Sequence, residues 1–185
     1  MNDVASDTIP YIGEDDTYHD INETIGKQFL TVSLQGETYC IDILSVNEIR
    51  GWQTPTMLPN APEYVKGVIN IRGNIVPIID LRQRFNMEFQ EYNETTVVIV
   101  LSVEEAGISR VMGVVVDAVS DVLNIDESEI KDAPDMSGSI DASFVMGLCN
   151  VDDGVVVILD VEGLLALSDI RKHYGAEERS EESVS

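Results

Sequence analysis

Two cysteines, two histidines and one tryptophan are all that 185 residues offer of three chemically versatile residue types. Cys40 and Cys149 each stand inside an apolar run. That placement fits small buried thiols in a reducing compartment and leaves no disulfide framework on which to build a fold. His19 and His173 stand apart from each other and from any nucleophile in the sequence, and no Cys/His spacing matches a zinc site. Neither a phosphate-cradling glycine loop nor a G-x-G-x-x-G run occurs. Acidic clusters such as Asp126-Glu127-Ser128-Glu129 lack the glycine and the ligand spacing of a calcium loop. Bases are scarce, with 11 Lys and Arg against 34 Asp and Glu, for a net charge of −23. Such a field repels phosphate backbones and anionic lipid, so nucleic acid and membrane surfaces are excluded as general partners. No apolar run approaches the roughly 20 residues of a membrane span, and the N-terminus lacks the basic region and apolar core of an export signal. These absences argue against an enzyme, a cofactor or a metal site, and for a cytoplasmic protein.

What is present is an aliphatic chain with short, regularly punctuated strands. Hydrophobic residues make up 44% of it, enough for one ordinary domain or two small barrels sharing an interface. Residues 1–26 hold seven acids and no Lys or Arg, and residues 175–185 hold four acids and one Arg. Neither stretch has apolar periodicity, so both read as solvating, disordered tails. Between them, Phe29–Leu34 and Thr38–Ile43 alternate around the turn Gln35-Gly36-Glu37 and form a first hairpin. Leu44–Ile49 reads as a short helical turn or bend, and residues 51–62, with Pro55, Pro59 and Pro62, as irregular chain. The second hairpin is Val68–Ile71 and Ile75–Ile79 about Arg72-Gly73-Asn74. Pro77 cannot donate to a ladder, which puts its strand on an edge or at a bulge. Strands follow at Thr96–Val103, Arg110–Val116 and Ala118–Ile125, then a polar loop over 126–142. A last hairpin, Phe144–Val151 and Val155–Leu159, turns through Asp152-Asp153-Gly154. Asp160 caps a short helix over Val161–Leu167, extending toward His173.

A repeat runs through this order. GVINIRGNIVPIIDL at 67–81 resembles GLCNVDDGVVVILDV at 147–161, aligning Gly67 with Gly147, Asn70 with Asn150 and Asp80 with Asp160. Upstream, Val46-Asn47-Glu48-Ile49 echoes Val119-Ser120-Asp121-Val122. Two related five-stranded barrels, over roughly 28–86 and 95–165, are the expected architecture.

Arg50, Lys66, Arg72, Arg82 and Arg84 concentrate base in one stretch of an acidic protein, a local positive patch suited to an acidic protein partner or, residue by residue, to internal salt bridges with the acidic core. Asp80, inside an apolar run, reads as a structural partner for a backbone group or an Arg. Arg72 stands at a hairpin tip, where its forked guanidinium can reach a partner's carboxylate. Ile43 and Val46 follow a bend that cannot bury every side chain, which makes each a core or an interface residue.

KGVINIRGNIVPIIDLRQRF at 66–85, YCIDILSVNEIRG at 39–51 and MGVVVDAVSDVL at 112–123 resemble the CheW family of chemotaxis coupling proteins. The resemblance runs from about Gln28 to Leu167. It implies an all-β fold of two intertwined five-stranded SH3-like β-barrels with short helical turns and a short C-terminal helix. The division becomes an N-terminal arm at 1–27, a CheW-like domain at 28–167 and a tail at 168–185. The resemblance further implies a non-enzymatic adaptor that needs no cofactor. Its partners would be the regulatory domain of a CheA-type histidine kinase and the cytoplasmic tips of chemoreceptors, in arrays at the inner face of the membrane. By motif position it marks Arg72, Ile43, Val46, Glu48, Gly67, Val97, Gly113 and Val122 as receptor- or kinase-binding. The short stretch after Leu167 fits a stand-alone coupler rather than a relative carrying a receiver domain. A small-ligand or metal-binding β-barrel sensor is the alternative.

Overall fold

A computed structural model of the protein describes residues 26–134, 140–152 and 154–166. The acidic arm, His19, Asp153, Leu167, the C-terminal tail and His173 lie outside the described residues. Among the described residues are ten strands and two one-turn α-helices: β1 (Lys27–Leu34), β2 (Glu37–Asp42), β3 (Val46–Gly51), β4 (Val65–Ile71), β5 (Asn74–Asp80), α1 (Leu81–Arg84), β6 (Val97–Glu105), β7 (Ile108–Val116), β8 (Ala118–Ile125), β9 (Val145–Val151), β10 (Gly154–Leu159) and α2 (Val161–Leu164).

They form two five-stranded sheets, β8-β1-β2-β10-β9 and β3-β6-β7-β5-β4. The two orders are the same plan, with each strand of one half matched by its repeat in the other. Neither sheet follows a contiguous half of the chain. The third strand of each half, β3 or β8, crosses into the sheet built by the first two strands of the other half. The sheets are therefore intertwined.

Each sheet also curls. In a flat second sheet β3 and β4 would lie four strand spacings apart, roughly 19 Å. Instead the chain leaving β3 reaches the outer edge of β4, where Thr56 and Val68 exchange two backbone hydrogen bonds of 2.9 Å. The first sheet repeats the device with Lys131 and Leu148, at 2.8 Å each.

This arrangement explains why several strands read as unbroken apolar runs. In β6, Val98 and Val100 turn into the interior of the second sheet with Ile69, Ile71, Val76, Ile78 and Val115. Ile99 and Leu101 turn the other way, into a core shared between the sheets with Leu30, Ile41, Ile79, Val114 and Leu159. A third cluster, with Phe29, Cys40, Cys149 and Ile158, fills the first sheet. Both faces of a strand are buried, so period-two alternation disappears.

The two cysteines sit in that third cluster, both buried. Burial is the main cause that pushes the Cys40 thiol up to about 11, with a smaller contribution from Cys149, whose own thiol is also raised. Both are neutral thiols at pH 8, and the thiolate is the nucleophile. Ellman's reagent should therefore react with neither in the native protein at pH 8 and with both in urea. Rapid native reaction would contradict this packing.

Two expectations need correction. Val46–Gly51 is a strand, not a helical turn; only Ile43–Ser45 makes a helical turn, capped by Asp42. Nor is the Pro77 strand at an edge, since β5 lies between β7 and β4. Its parallel ladder to β7 begins at Ile78, so Pro77 faces no donor-seeking neighbour on that side. The bulge lies in the partner strand, between Val65 and Gly67.

Asp80 and Asp160 hold the same place in the two halves. Asp80 is buried, and its carboxylate accepts from the backbone N–H of Arg82 and Gln83 and from the Tyr92 hydroxyl at 2.6 Å. Asp160 accepts from the N–H of Gly163 at 3.1 Å. Loss of a cap acceptor costs about 1 kcal/mol, and stranding a buried hydroxyl adds to it. Asp80→Ala should therefore lose about 2 kcal/mol in urea denaturation and Asp160→Ala about half that. Equal losses would show that the Tyr92 bond contributes nothing.

Candidate docking site

Arg72 and Gly73 form the two-residue tip of the β4–β5 hairpin, with Ile71 paired to Asn74. Both tip residues have left-handed backbones, at φ 51° and 84°. That is the requirement of a tight hairpin turn, whose favoured sequence is Asn-Gly. Asn70 braces the turn by accepting from the Gly73 N–H at 2.9 Å. An Arg in the first position is unusual, and its side chain stays 80% exposed.

The curl of the sheet brings this tip to β3. Glu48 lies between two guanidiniums, 2.9 Å from Arg50 and 3.3 Å from Arg72. Arg50 and Glu48 are two apart on one strand and so share a face. The result is an Arg-Glu-Arg group with one net positive charge at the rim of a strongly acidic protein. Beside it Ile75, opposite Asn70, is 64% exposed; Ile49, between Glu48 and Arg50 and so on the other face of β3, is 48% exposed. Charge beside exposed Ile75 suits a protein surface carrying a carboxylate.

The residues marked by the sequence fall into three groups. Arg72 and Glu48 meet directly. Ile43 and Val46 are half-buried at the margin of the shared core, as is Val97. Gly67 and Gly113 are not surface contacts. They lie in one transverse row, Glu48–Val100–Gly113–Ile78–Gly67, that crosses all five strands. Gly113 is buried where an added Cβ would come within 2.5 Å of Ile78 Cδ1. Gly67, at φ 135°, passes under the closing segment, and a Cβ there would lie 2.1 Å from the Thr56 carbonyl oxygen. Val122 is 48% exposed but belongs to β8, in the other sheet, opposite Leu30.

The five-base patch is also redistributed. Arg82 is buried; its guanidinium grips the Asp117 carboxylate with two donors and also bonds Gln90. Asp117 links the two sheets, because it follows β7 and also accepts from the Gln35 N–H in the β1–β2 turn. The hydrogen bond to Asp117 is the main reason that the Arg82 pKa is raised further. Arg84 lies 4.6 Å from both the Tyr64 and Phe144 rings, and Lys66 lies over Phe89. Arg50 and Arg72 remain at the rim. Sequence reading passed over Ile75 as a contact residue, although an apolar residue two past a hairpin tip and opposite a polar Asn70 carries the signal.

Among the described residues no group of three or more His, Cys, Asp or Glu gathers as a metal ion would require, and no helix is long and apolar enough to cross a membrane.

Comparison with known proteins agrees with this architecture. Residues 28–169 match the model of the CheW-like domain. The chemotaxis protein CheW of Klebsiella aerogenes is 43% identical over 148 residues, which cover 80% of this chain and 87% of that protein. CheW of Rhizobium meliloti is 34% identical over 139 residues, covering 75% and 87%. The crystal structure of the scaffolding protein TtCheW from Thermoanaerobacter tengcongensis superposes with a TM-score of 0.69 at 32% identity, covering 82% of this chain and 93% of that one. With the two-sheet plan, the repeat and these similarities together, the chain belongs to the CheW family.

Proposed function

We propose that the protein is a non-enzymatic adaptor that couples the cytoplasmic tips of transmembrane chemoreceptors to a CheA-type histidine kinase at the inner face of the membrane. Family membership supports the chemotaxis setting. The observation that carries the coupling role is Arg72: a charged side chain at an exposed tip, on a backbone conformation that the fold would fill better with Asn or Gly. The conformation belongs to the turn, since Gln35 and Ala106 hold it at the same place in two other hairpins; what points to a contact is a forked charge placed there, exposed and beside Glu48. In this reading the Arg72–Glu48–Arg50 group with Ile75 docks an acidic, partly apolar face of a partner. Ile43, Val46 and Val97 set the margin of the shared core beside it, Gly67 and Gly113 shape the sheet, and Val122 belongs to a separate contact on the first sheet.

A pull-down with the kinase's regulatory domain and with a receptor cytoplasmic fragment tests the reading. Capture of both is expected. Capture of neither, with the chain folded, rejects it.

A further inference from the structure

The stretch 86–96 between α1 and β6 carries an aromatic ladder. Trp52, the first residue after β3, stacks on Tyr92 with ring centroids 3.8 Å apart. Tyr92 meets Phe89 edge-on at 5.6 Å, and Phe89 lies 5.2 Å beneath the Lys66 ammonium of β4. The ladder therefore runs from the end of one edge strand to the base of the other. Burial alone does not account for it, because Phe89 is 53% exposed. Its midpoint is fixed, since the Tyr92 hydroxyl donates to the buried carboxylate of Asp80 at 2.6 Å.

Strand register shows what this strap holds. Gly51 pairs with Val97 and Val97 with Val116, one residue past Val115, the partner of Asp80. Trp52 and Asp80 thus lie at the same end of the second sheet, and Tyr92 bridges them. Edges joined at that end, and by the Thr56–Val68 bridge, leave Glu48 of β3 within reach of Arg72 on the hairpin. The Glu48–Arg72 pair is too exposed to impose that closure, as surface pairs contribute roughly 0–1 kcal/mol.

We infer that Tyr92 is a positioning residue for the docking site: through Trp52 and Asp80 it holds the two edges of the sheet at the spacing that presents Arg72 beside Glu48. This rests on Arg72 being a docking contact. Tyr92 itself touches no partner in this scheme.

The test is a thermodynamic cycle on the full chain. Affinity for the kinase's regulatory domain is measured by calorimetry for the parent, Tyr92→Leu, Arg72→Ala and the double variant, with thermal melts confirming that each is folded. Tyr92→Leu should weaken binding about fivefold in the parent and hardly at all once Arg72 is gone, the non-additivity of coupled residues. Equal effects in both backgrounds, or no effect in the parent, overturn the inference while leaving Arg72 as a contact. Arg72→Ala binding like the parent overturns both. Should Tyr92→Leu not fold, Tyr92→Phe carries the same cycle, since it keeps the ladder and removes only the bond to Asp80.

Discussion

Replacing Arg72 with Asn should give a protein that is more stable than its parent and a poorer coupler. The two effects have separate causes. A non-glycine residue held in the left-handed region costs about 1 kcal/mol at the low end, and Asn carries less of that cost than Arg. Against this stands the loss of an ion pair whose guanidinium is 80% exposed, which puts it at the low end of the roughly 0–1 kcal/mol of surface pairs. The gain wins, and the urea midpoint should rise. Affinity for the kinase's regulatory domain should fall roughly tenfold or more, as expected when an Arg anchor is removed from an interface. Arg72→Asp should bind worse still, because it repels the partner's acid. A variant that lost stability and kept its affinity would make Arg72 a fold requirement and not a contact.

Gly67→Ala should be among the most damaging single methyl additions. The backbone φ of 135° is closed to an alanine without strain, and the new Cβ would meet the Thr56 carbonyl oxygen at 2.1 Å. That oxygen accepts the Val68 N–H that closes the sheet, so relief of the clash breaks the closure. Backbone strain together with the lost bridge should cost about 3 kcal/mol and lower the urea midpoint by about 1 to 2 M. Coupling would then be lost through the sheet and not through a missing contact. Unchanged stability with weakened binding would return Gly67 to the interface. Its repeat partner Gly147 is crowded less closely, by Ile130 Cγ2 at 2.6 Å and the Lys131 carbonyl at 2.7 Å, and its Ala variant should lose less.

The hairpins, the repeat and the Asp160 cap were legible because each rests on local chemistry, and Asp80 read correctly as a partner for backbone groups. Gly-bearing turns, runs of β-branched residues and an Asp before a one-turn helix all act within a few residues. The repeat at Gly67 and Gly147 proved to mark the two crossings where a closing segment passes over an edge strand. β3 was not legible because Asn47, Glu48 and Arg50 break its apolar alternation. Glu48 is satisfied there by Arg50 and also by Arg72, a contact made only once the sheet curls. Whether Arg82 served a partner or an internal salt bridge was not legible, because its acid, Asp117, is 35 residues away. The strand of Pro77 read as an edge or a bulge because composition cannot show where a parallel ladder begins. The stretch 86–96 read as polar, since the value of Tyr92 and Phe89 lies in Trp52, Asp80 and Lys66, none of them near in sequence.

Reconstituted kinase activity tests the central claim most directly. Receptor fragments on vesicles, the kinase and this protein are combined, and phosphotransfer is followed with and without receptor ligand. The parent protein should place the kinase under receptor control, and Arg72→Asp, folded by thermal melt, should fail to do so. Equal control with parent and variant would contradict the role of Arg72; a kinase that ignores the receptor even with the parent protein would contradict the coupling function itself.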